Sequence, residues 1–313
     1  MAHAIVYTAF GGPDVLTLVE TPPLQPQPGH LVVRVEAAGV NPIDAKLRAA
    51  IRPSAPITEP RRVGSDGAGV VTAVGDGVEG YRPGDEVVFF GASGAYASEI
   101  LLPVPLVQHR PPQVSAAVGA ALGIPVGTAY QALRSLDVRA DDTLLLHAGS
   151  GSVGQAVIQF AVLWGARVVA TASPRRFDRI RSLGATPVAY GEGLADRVRD
   201  AASDGVTVAI DAAGTDEALH VSLELVPDRT RIATLVRGAD ADALGIQAYS
   251  GGSPHPLTAQ QVAWRGEAMP VALSLLAADR FSVELGPALP LADAAEAHRL
   301  VESGAQGKIT LLP

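Results

Sequence analysis

The sequence predicts an α/β protein with two domains, one rich in β-strands and one built around a doubly wound parallel sheet. Up to about residue 115, short strand patterns follow one another with Pro and Gly between them and without long helical patterns. Further along, strand and helix patterns alternate, which is typical of βαβ units. A chain of 313 residues, 48% of them hydrophobic, is long enough to form two such cores.

The strand patterns of the first part are short apolar runs rich in β-branched residues. They cover residues 31–35, 69–74 and 86–90, and a last run lies near the end of the chain at residues 307–312. Because little helical pattern separates the first three runs, we expect an antiparallel or barrel-like arrangement there.

The second part carries four apolar runs that predict parallel strands. These runs lie at residues 143–146, 167–172, 206–210 and 231–236, with helical patterns between them. A longer helical pattern follows at residues 258–278. This succession predicts a doubly wound sheet with helices on its faces.

A glycine-rich loop directly follows the first of these strands. Residues 147–154 read His-Ala-Gly-Ser-Gly-Ser-Val-Gly, and an apolar helical stripe begins within them. Glycines here allow a tight turn and a close approach of the backbone to a pyrophosphate, which the N-terminus of the helix then binds. An ordinary tight turn is the alternative, but the strand–turn–helix–strand context favours a dinucleotide site. The expected contacts are Gly149, Ser150, Gly151, Ser152, Val153 and Gly154.

The end of the second strand indicates which dinucleotide binds. A site for NAD usually has an acidic residue about 20 residues beyond the first glycine, whereas this chain has Ser173 followed by Pro-Arg-Arg. A hydroxyl and the guanidiniums of Arg175 and Arg176 suit the 2′-phosphate of NADPH. The two arginines could instead be solvated residues of a first helical turn, but paired cations there oppose the helix dipole. The sequence therefore predicts NADPH rather than NADH.

Composition argues against several other classes of protein. The chain has no cysteine, which excludes disulfides, thiolate metal sites and a cysteine nucleophile. A net charge of -8 argues against a nucleic-acid-binding protein. No signal-peptide pattern is seen and no apolar run reaches the roughly 18 residues of a membrane span, so we expect no membrane association and a cytoplasmic location.

Several motifs, in a fixed order, make the chain resemble a known superfamily. The motifs lie at residues 11–16, 37–44 (Ala-Ala-Gly-Val-Asn-Pro-Ile-Asp), 64–71, 80–85, 94–97, 127–130, in the glycine loop and at 307–309. With them the sequence resembles the medium-chain dehydrogenases/reductases nearly from end to end, and most of all their zinc-free, zeta-crystallin-like quinone oxidoreductases. The resemblance implies a homodimer with a GroES-like catalytic domain (residues 1–115 and 260–313) and a Rossmann domain (residues 116–259).

Two positions distinguish this chain from the zinc-dependent alcohol dehydrogenases of the superfamily. Those enzymes have a zinc-binding cysteine where this chain has Asn41, and a zinc-binding histidine where it has Ser65. Neither replacement is a credible zinc ligand, so we expect no metal site. Without a Lewis acid, alcohol oxidation is disfavoured. The resemblance implies instead a hydride transfer from NADPH to a small quinone or conjugated carbonyl.

The resemblance also implies roles for residues near the reacting atoms. Asn41 is expected to donate a hydrogen bond to the developing oxyanion, with Asp44 in the same motif, and Thr128 is expected near the nicotinamide. The alternatives are a helix cap, a turn and plain helix packing. Lys46 replaces a tyrosine that is common in this branch. It could donate a proton or hold a substrate anion, or it could be a solvated helix residue.

Further contacts are expected around the cofactor and substrate. The resemblance places Tyr190 near the 2′-phosphate, although the local spacing is one residue short. Lys308 is expected to face either the cofactor or the surface, and Tyr249 to line the substrate cleft. The remaining residues expected along the cofactor groove are Ala213, Gly214, Leu235 and Val236.

Two other functions stay open at this point. An enzyme with the same fold and cofactor could reduce a 2-enoyl or alkenal double bond, for example as a tailoring enzyme of secondary metabolism. A protein of a different class could bind NADPH for a structural or sensing purpose with little turnover.

Overall fold

Two systems of β-sheet, one largely antiparallel and one parallel, divide the chain into two units. The computed structural model describes residues 1–51, 54–249, 253 and 255–313. Unit 1 comprises Met1–Ile124 and Met269–Pro313, and unit 2 comprises Pro125–Ala268. The domain boundaries expected after residues 115 and 259 both lie earlier in the chain than these divisions.

The elements alternate between short strands and short helices in most of the chain. The strands are β1 (Ala2–Tyr7), β2 (Thr17–Thr21), β3 (His30–Gly39), β4 (Arg61–Arg62), β5 (Asp66–Val74), β6 (Glu86–Phe89), β7 (Glu99–Pro103), β8 (Val107–His109), β9 (Thr143–His147), β10 (Arg167–Ala172), β11 (Thr186–Ala189), β12 (Val208–Asp211), β13 (Ile232–Thr234), β14 (Gln247–Ala248), β15 (Leu285–Pro290) and β16 (Lys308–Leu312). The helices are α1 (Pro42–Arg48), α2 (Ala116–Ala120), α3 (Gly123–Ser135), α4 (Ser152–Leu163), α5 (Phe177–Ser182), α6 (Leu194–Ala201), α7 (Asp216–Leu225), α8 (Ala241–Leu244), α9 (Ala259–Ala277) and α10 (Ala294–Glu302).

Unit 1 is built on antiparallel strand pairs. Its larger sheet has the order β15-β16-β3-β5-β6-β8, with β7 also pairing with β3, and its smaller sheet has the order β2-β1-β4. Every pair except β15–β16 is antiparallel. Leu31, Val33 and Val35 alternate along β3 and point into a core that also contains Phe89 and Tyr96. The expectation of a β-rich antiparallel unit is confirmed.

Unit 2 contains one parallel sheet of six strands. Its order is β11-β10-β9-β12-β13-β14, and all five pairs are parallel. This is the order of a doubly wound sheet, in which the winding direction reverses between β9 and β12. Ligands of such sheets bind beyond the carboxyl ends of the strands at this reversal, so the fold predicts where a dinucleotide lies.

Two strands of unit 2 were not expected from the sequence. The edge strand β11 contains Pro187, which cannot donate to a ladder and is tolerated mainly at sheet edges. The other edge strand, β14, has only two residues. Neither one shows the continuous apolar run that marks a central parallel strand.

Gly154, in the first turn of α4, gives a test of the close packing in this fold. A Cβ atom at Gly154 would lie 2.3 Å from the carbonyl oxygen of Ala148 and 2.8 Å from Cα of Gly149. Because these are backbone atoms, they cannot rotate away. We expect Gly154→Ala to lower the free energy of unfolding by about 1–3 kcal/mol, measured by urea denaturation.

A matched control lies in α9, where a Cβ at Gly266 would have no neighbour within 4 Å. Gly266→Ala should raise the free energy of unfolding by about 0.5–1 kcal/mol, because alanine favours a helix. Equal urea midpoints for Gly154→Ala and wild type would contradict the packing described here.

Candidate active site and cofactor groove

The glycine loop between β9 and α4 is fastened to the neighbouring strand. The N–H of Ala148 donates to the hydroxyl of Thr171 (3.1 Å), and the N–H of Gly149 donates to the carbonyl of Thr171 (2.9 Å). Ala148, rather than a glycine, has the left-handed backbone conformation, with φ of 61°. A Cβ on Gly149 would lie 2.7 Å from Cβ of Ala170, so this glycine serves close packing.

The N-terminus of α4 is open toward the side where a phosphate is expected. Gly151 occupies the cap position, and the N–H groups of the first helical turn, at Ser152, Val153 and Gly154, have no partner within an α-helix. A Cβ on Gly151 would meet no atom closer than 3.6 Å. Such a turn can bind an anion through its backbone.

The carboxyl end of β10 carries the residues predicted to bind the 2′-phosphate. Pro174–Arg176 form a short 3-10 turn directly after Ser173. Arg175 is exposed, whereas Ser173 and Arg176 are half-buried. This arrangement brings one hydroxyl and two guanidiniums to one end of one strand, and their phosphate role stays a prediction.

The register of the sheet places Tyr190 next to this group. Ala172, the last residue of β10, is paired with Ala189, the last residue of β11. The residues that follow, Ser173 and Tyr190, therefore begin adjacent loops on strands about 4.8 Å apart. Tyr190 is 61% exposed. Although the sequence spacing is one residue short of the family pattern, Tyr190 lies in the loop next to Ser173. We call the region of Ser173, Arg175, Arg176 and Tyr190 the 2′-phosphate corner.

A buried carboxylate organises the loops after β12 and β13. Oδ1 of Asp211 accepts hydrogen bonds from the backbone of Ala213 (2.9 Å) and Gly214 (2.8 Å), and its Oδ2 accepts one from the hydroxyl of Thr234 (2.8 Å). The N–H of Leu235 donates to the carbonyl of Asp211 (2.8 Å). Asp211 thus fixes the loops that carry the expected groove residues, among them Val236. Asp211 and Thr234 are not among the site residues predicted from the sequence, although an aspartate that ends an apolar strand just before Ala-Ala-Gly is a usable signal.

His147, next to the glycine loop, has a structural environment. It is the last residue of β9, is 1% exposed, and its Nε2 lies 3.1 Å from the hydroxyl of Ser222. Burial lowers the pKa of His147 to about 4, so the ring is neutral at pH 7.

In unit 1, Asn41 is held by a buried network. Its Nδ2 donates to Oδ2 of Asp66 (2.9 Å) and to the carbonyl of Gly39 (3.4 Å), and its Oδ1 accepts a hydrogen bond from Nζ of Lys308. Asn41 is 1% and Lys308 4% exposed. The alternative that Lys308 faces the surface is therefore wrong, because its ammonium points to an interior amide.

Asp44 lies behind Asn41 in the same network. Its Oδ2 accepts hydrogen bonds from the backbone N–H of Asn41 (2.9 Å) and from the hydroxyl of Tyr96 (3.0 Å), which also lies 3.3 Å from Nε2 of His298. The carboxylate of Asp44 thus caps the start of α1, where Asn41 occupies the N-cap position. Nothing in the sequence connects His298 with this motif, and Tyr96 could be suspected only from the motif at residues 94–97.

Burial dominates the electrostatics of this network. It raises the pKa of Asp44 to about 7; the nearby carboxylate of Asp66 raises it further, while the hydrogen bond from Asn41 and the charge of Lys308 lower it. Burial also lowers the pKa of Lys308, and the carboxylates of Asp66 and Asp44 oppose this shift. A buried ammonium requires such a counter-charge. Asp66 supplies one, and it was missed as a site residue although it belongs to the motif at residues 64–71.

These contacts bear on the expected role of Asn41. Both of its amide N–H groups already have acceptors, so donation to a substrate oxygen requires one of these bonds to break. Lys308 carries three N–H donors, one of which is directed to Asn41. The oxyanion role of Asn41 stays a prediction, and Lys308 joins it as a second candidate donor.

The other expected site residues lie at separate places. Lys46 is half-buried in the last turn of α1. In unit 2, Thr128 is buried on α3 and its hydroxyl lies 3.5 Å from a guanidinium nitrogen of Arg265. Tyr249 is buried after β14, where burial raises the pKa of its hydroxyl to about 12 and Ser135 opposes the shift. Their roles at a nicotinamide or substrate remain predictions.

Two kinds of feature are absent from the described part of the chain. Within residues 1–51, 54–249, 253 and 255–313, no cluster of three His, Asp or Glu side chains is arranged to hold a metal ion. Among the helices of these same residues, none has both the length and the apolar character needed to cross a membrane.

Comparison with known proteins identifies the family. An alcohol dehydrogenase GroES-like domain family matches residues 27–111, and a zinc-binding dehydrogenase family matches residues 152–270. A quinone oxidoreductase of Salmonella typhimurium is 30% identical over 331 aligned positions, which cover 100% of both chains. The chain belongs to the quinone oxidoreductase branch of the medium-chain dehydrogenases/reductases. The expected superfamily, the GroES-like domain and the Rossmann-type domain are thereby confirmed.

Other similar proteins agree with this placement. A quinone-oxidoreductase homolog from spinach chloroplasts is 37% identical, and the chain spans 60% of the length of that relative. The crystal structure of the Escherichia coli quinone oxidoreductase complexed with NADPH has a TM-score of 0.84. It is 26% identical in sequence, and the match covers 99% of this chain and 100% of that one.

The raised pKa of Asp44 predicts a specific dependence of stability on pH. Its carboxyl group has a pKa of about 7 in the folded protein, against the ordinary value of 3.8, so the native state holds an extra proton between these pH values. The resulting stabilisation is fully present below about pH 4 and is lost as the pH rises through about 7. Asp44→Asn keeps an oxygen acceptor but cannot titrate.

We therefore expect the unfolding free energy of wild type, relative to Asp44→Asn, to fall between about pH 5 and 7 by on the order of 1 kcal/mol per pH unit. Urea denaturation at several pH values measures this difference. His147 and His298, whose pKa values burial lowers to about 4, have the opposite effect but are present in both proteins. A difference that stays constant with pH would refute the shift.

Proposed function

We propose that this chain is an NADPH-dependent reductase that transfers a hydride to a small quinone or conjugated carbonyl without zinc. The proposal depends on one observation about the carboxyl end of the parallel sheet. The open N-terminus of α4 lies there beside the residues that follow β10 and β11, namely Ser173, Arg175, Arg176 and Tyr190. We further propose that it acts in the cytoplasm as a homodimer.

The residues at this edge fit a dinucleotide with a 2′-phosphate. The backbone N–H groups of Ser152 and Val153 would bind the pyrophosphate, and the loops braced by Asp211 would line the remainder of the groove. Ser173 stands where an NAD site has a carboxylate that would repel the phosphate. When bound, NADPH supplies the hydride, and the protein supplies position and electric field.

The hydrogen-bond partners of Asn41 support a reaction that does not need zinc. This residue stands at the position of a zinc-binding cysteine in the zinc-dependent enzymes, and here it accepts a hydrogen bond from the ammonium of Lys308. An ammonium beside this position repels a divalent cation, and an amide is a poor zinc ligand. The same ammonium suits the negative oxygen that forms when a hydride reaches a quinone or an enone.

The reduction also requires a proton, and the buried network holds one. Hydride addition to a quinone leaves an oxyanion that becomes a hydroquinone after protonation. Asp44, whose pKa burial raises to about 7, and Lys308 are two buried groups that hydrogen-bond to Asn41 in this network. We propose that these two groups supply the proton that neutralises the oxyanion.

The phosphate role of the paired arginines is tested by coenzyme affinity. Replacing Arg175 and Arg176 together by alanine should raise the Kd for NADPH by about a hundredfold, because each charge-assisted hydrogen bond contributes about 1.5–3 kcal/mol. The Kd for NADH should stay within about twofold, since NADH lacks the 2′-phosphate. Isothermal titration calorimetry measures both constants.

Arg181→Ala is the matched control, because Arg181 lies on α5 and forms an ion pair with Asp178 (2.9 Å). It should change neither constant appreciably. Equal losses of NADPH and NADH affinity in the double variant would remove the proposed role.

Chelation and a panel of acceptors test the chemistry. After treatment with EDTA and desalting, NADPH oxidation with 1,4-benzoquinone should stay within about twofold of the untreated rate, because no step needs a Lewis acid. A large loss that added Zn²⁺ restores would overturn the zinc-free proposal. Preference for an enone over the quinone in kcat/KM would indicate a double-bond reductase instead, and tight NADPH binding without oxidation by either acceptor would indicate a structural or sensing protein.

A further inference from the structure

The sequence of the loop that carries Tyr190 does not by itself restrict the loop to one conformation. It joins β11 to α6 in four residues, and two of them, Gly191 (φ of 98°) and Gly193 (φ of 78°), have positive φ angles. Glycine gives a loop more conformational freedom than any other residue. An aromatic ring that is mostly exposed adds little packing to restrain it. The position of the loop must therefore be set by contacts with the rest of the protein.

One side chain supplies most of these contacts. Arg197, in the first turns of α6, directs its guanidinium back along the helix toward the loop. Its Nε donates to the carbonyl of Ala189 (3.0 Å), its Nη2 to that of Gly191 (2.7 Å) and its Nη1 to that of Glu192 (2.8 Å). A single planar group thus binds three carbonyls on both sides of Tyr190.

A second contact braces the same loop from α7. The N–H of Gly191 donates to Oε2 of Glu217 (3.0 Å), which lies in the first turn of that helix. Both the N–H and the carbonyl of the residue after Tyr190 are therefore bound. The backbone on either side of Tyr190 is held to α6 and α7 rather than left to solvent.

The clamped carbonyl of Ala189 belongs to the residue paired with Ala172 in the sheet. Holding this end of β11 therefore holds Tyr190 beside Ser173. We propose that Arg197 is a positioning residue that sets the preference for NADPH over NADH, by keeping the hydroxyl of Tyr190 where it can donate to the 2′-phosphate. This inference rests on the proposed function, because it requires the 2′-phosphate at this corner.

The proposal depends on the planar geometry of the Arg197 guanidinium and not on its positive charge. Arg197→Lys keeps the positive charge, but one ammonium cannot bind three carbonyls in the planar pattern of a guanidinium. Arg197→Gln removes the charge and most of the donors. Both variants should raise the Kd for NADPH by about tenfold, the value of one hydrogen bond to a charged group, and leave the Kd for NADH unchanged.

The matched control is Arg199→Gln on the same helix. Arg199 binds Asp196 (2.8 Å) and Glu224 at the surface, and its guanidinium forms no hydrogen bond with the loop. Arg199→Gln removes one positive charge from the same region. If it raised the Kd for NADPH as much as Arg197→Gln does, net charge would set the affinity, and the hydrogen bonds of Arg197 to the loop would not. Taking the ratio of the two Kd values in one preparation cancels any unfolded fraction, and thermal melting of each variant shows that it folds.

A double-mutant cycle with Tyr190→Phe decides whether Arg197 acts through Tyr190. If it does, Arg197→Lys should cause about a tenfold loss of NADPH affinity in wild type and almost none in the Tyr190→Phe protein. Independent, multiplying losses would overturn the inference, as would an unchanged NADPH:NADH ratio in Arg197→Lys. In either case the proposed function stands if wild type itself prefers NADPH. Equal affinity of wild type for both coenzymes would overturn the proposed function and the inference together.

Discussion

Parallel pairing around β9 is the constraint on which the cofactor groove depends. It aligns the carboxyl ends of the strands, so that His147 pairs with Asp211 and Asp211 with Thr234, while Ala172 pairs with Ala189. Loops that are far apart in sequence then begin side by side. The buried carboxylate of Asp211 and the guanidinium of Arg197 turn this alignment into fixed loop positions, which a preorganised binding site requires.

Unit 1 solves a different physical problem, the burial of charge. Asp44, Asp66 and Lys308 are all inside, and each would be costly alone. Together with the amide of Asn41 they satisfy one another, and Asp44 keeps a proton near neutral pH because burial outweighs its hydrogen bonds. Replacing such a network by apolar residues often stabilises a protein. Its presence here is better explained by the need to fix an amide, an ammonium and a proton in one place.

The sequence predicts the parts of this picture that depend on local patterns. The apolar runs at 143–146 and 167–172 and the glycine loop between them are local, and the structure has β9, β10 and the open end of α4 there. Contacts that join distant residues left no such pattern. Lys308 and Asn41 are 267 positions apart, and only the fold shows that the lysine is interior. The position of Tyr190 depends on the register of β11, an edge strand whose proline hides it from pattern analysis.

The most direct test of this account is a crystal structure of the protein with NADPH. We expect the pyrophosphate to lie against the backbone of Ser152 and Val153, and the 2′-phosphate to lie within hydrogen-bond distance of both Ser173 and Tyr190. A bound coenzyme whose 2′-phosphate points into solvent, or whose adenosine lies away from the ends of β10 and β11, would contradict it.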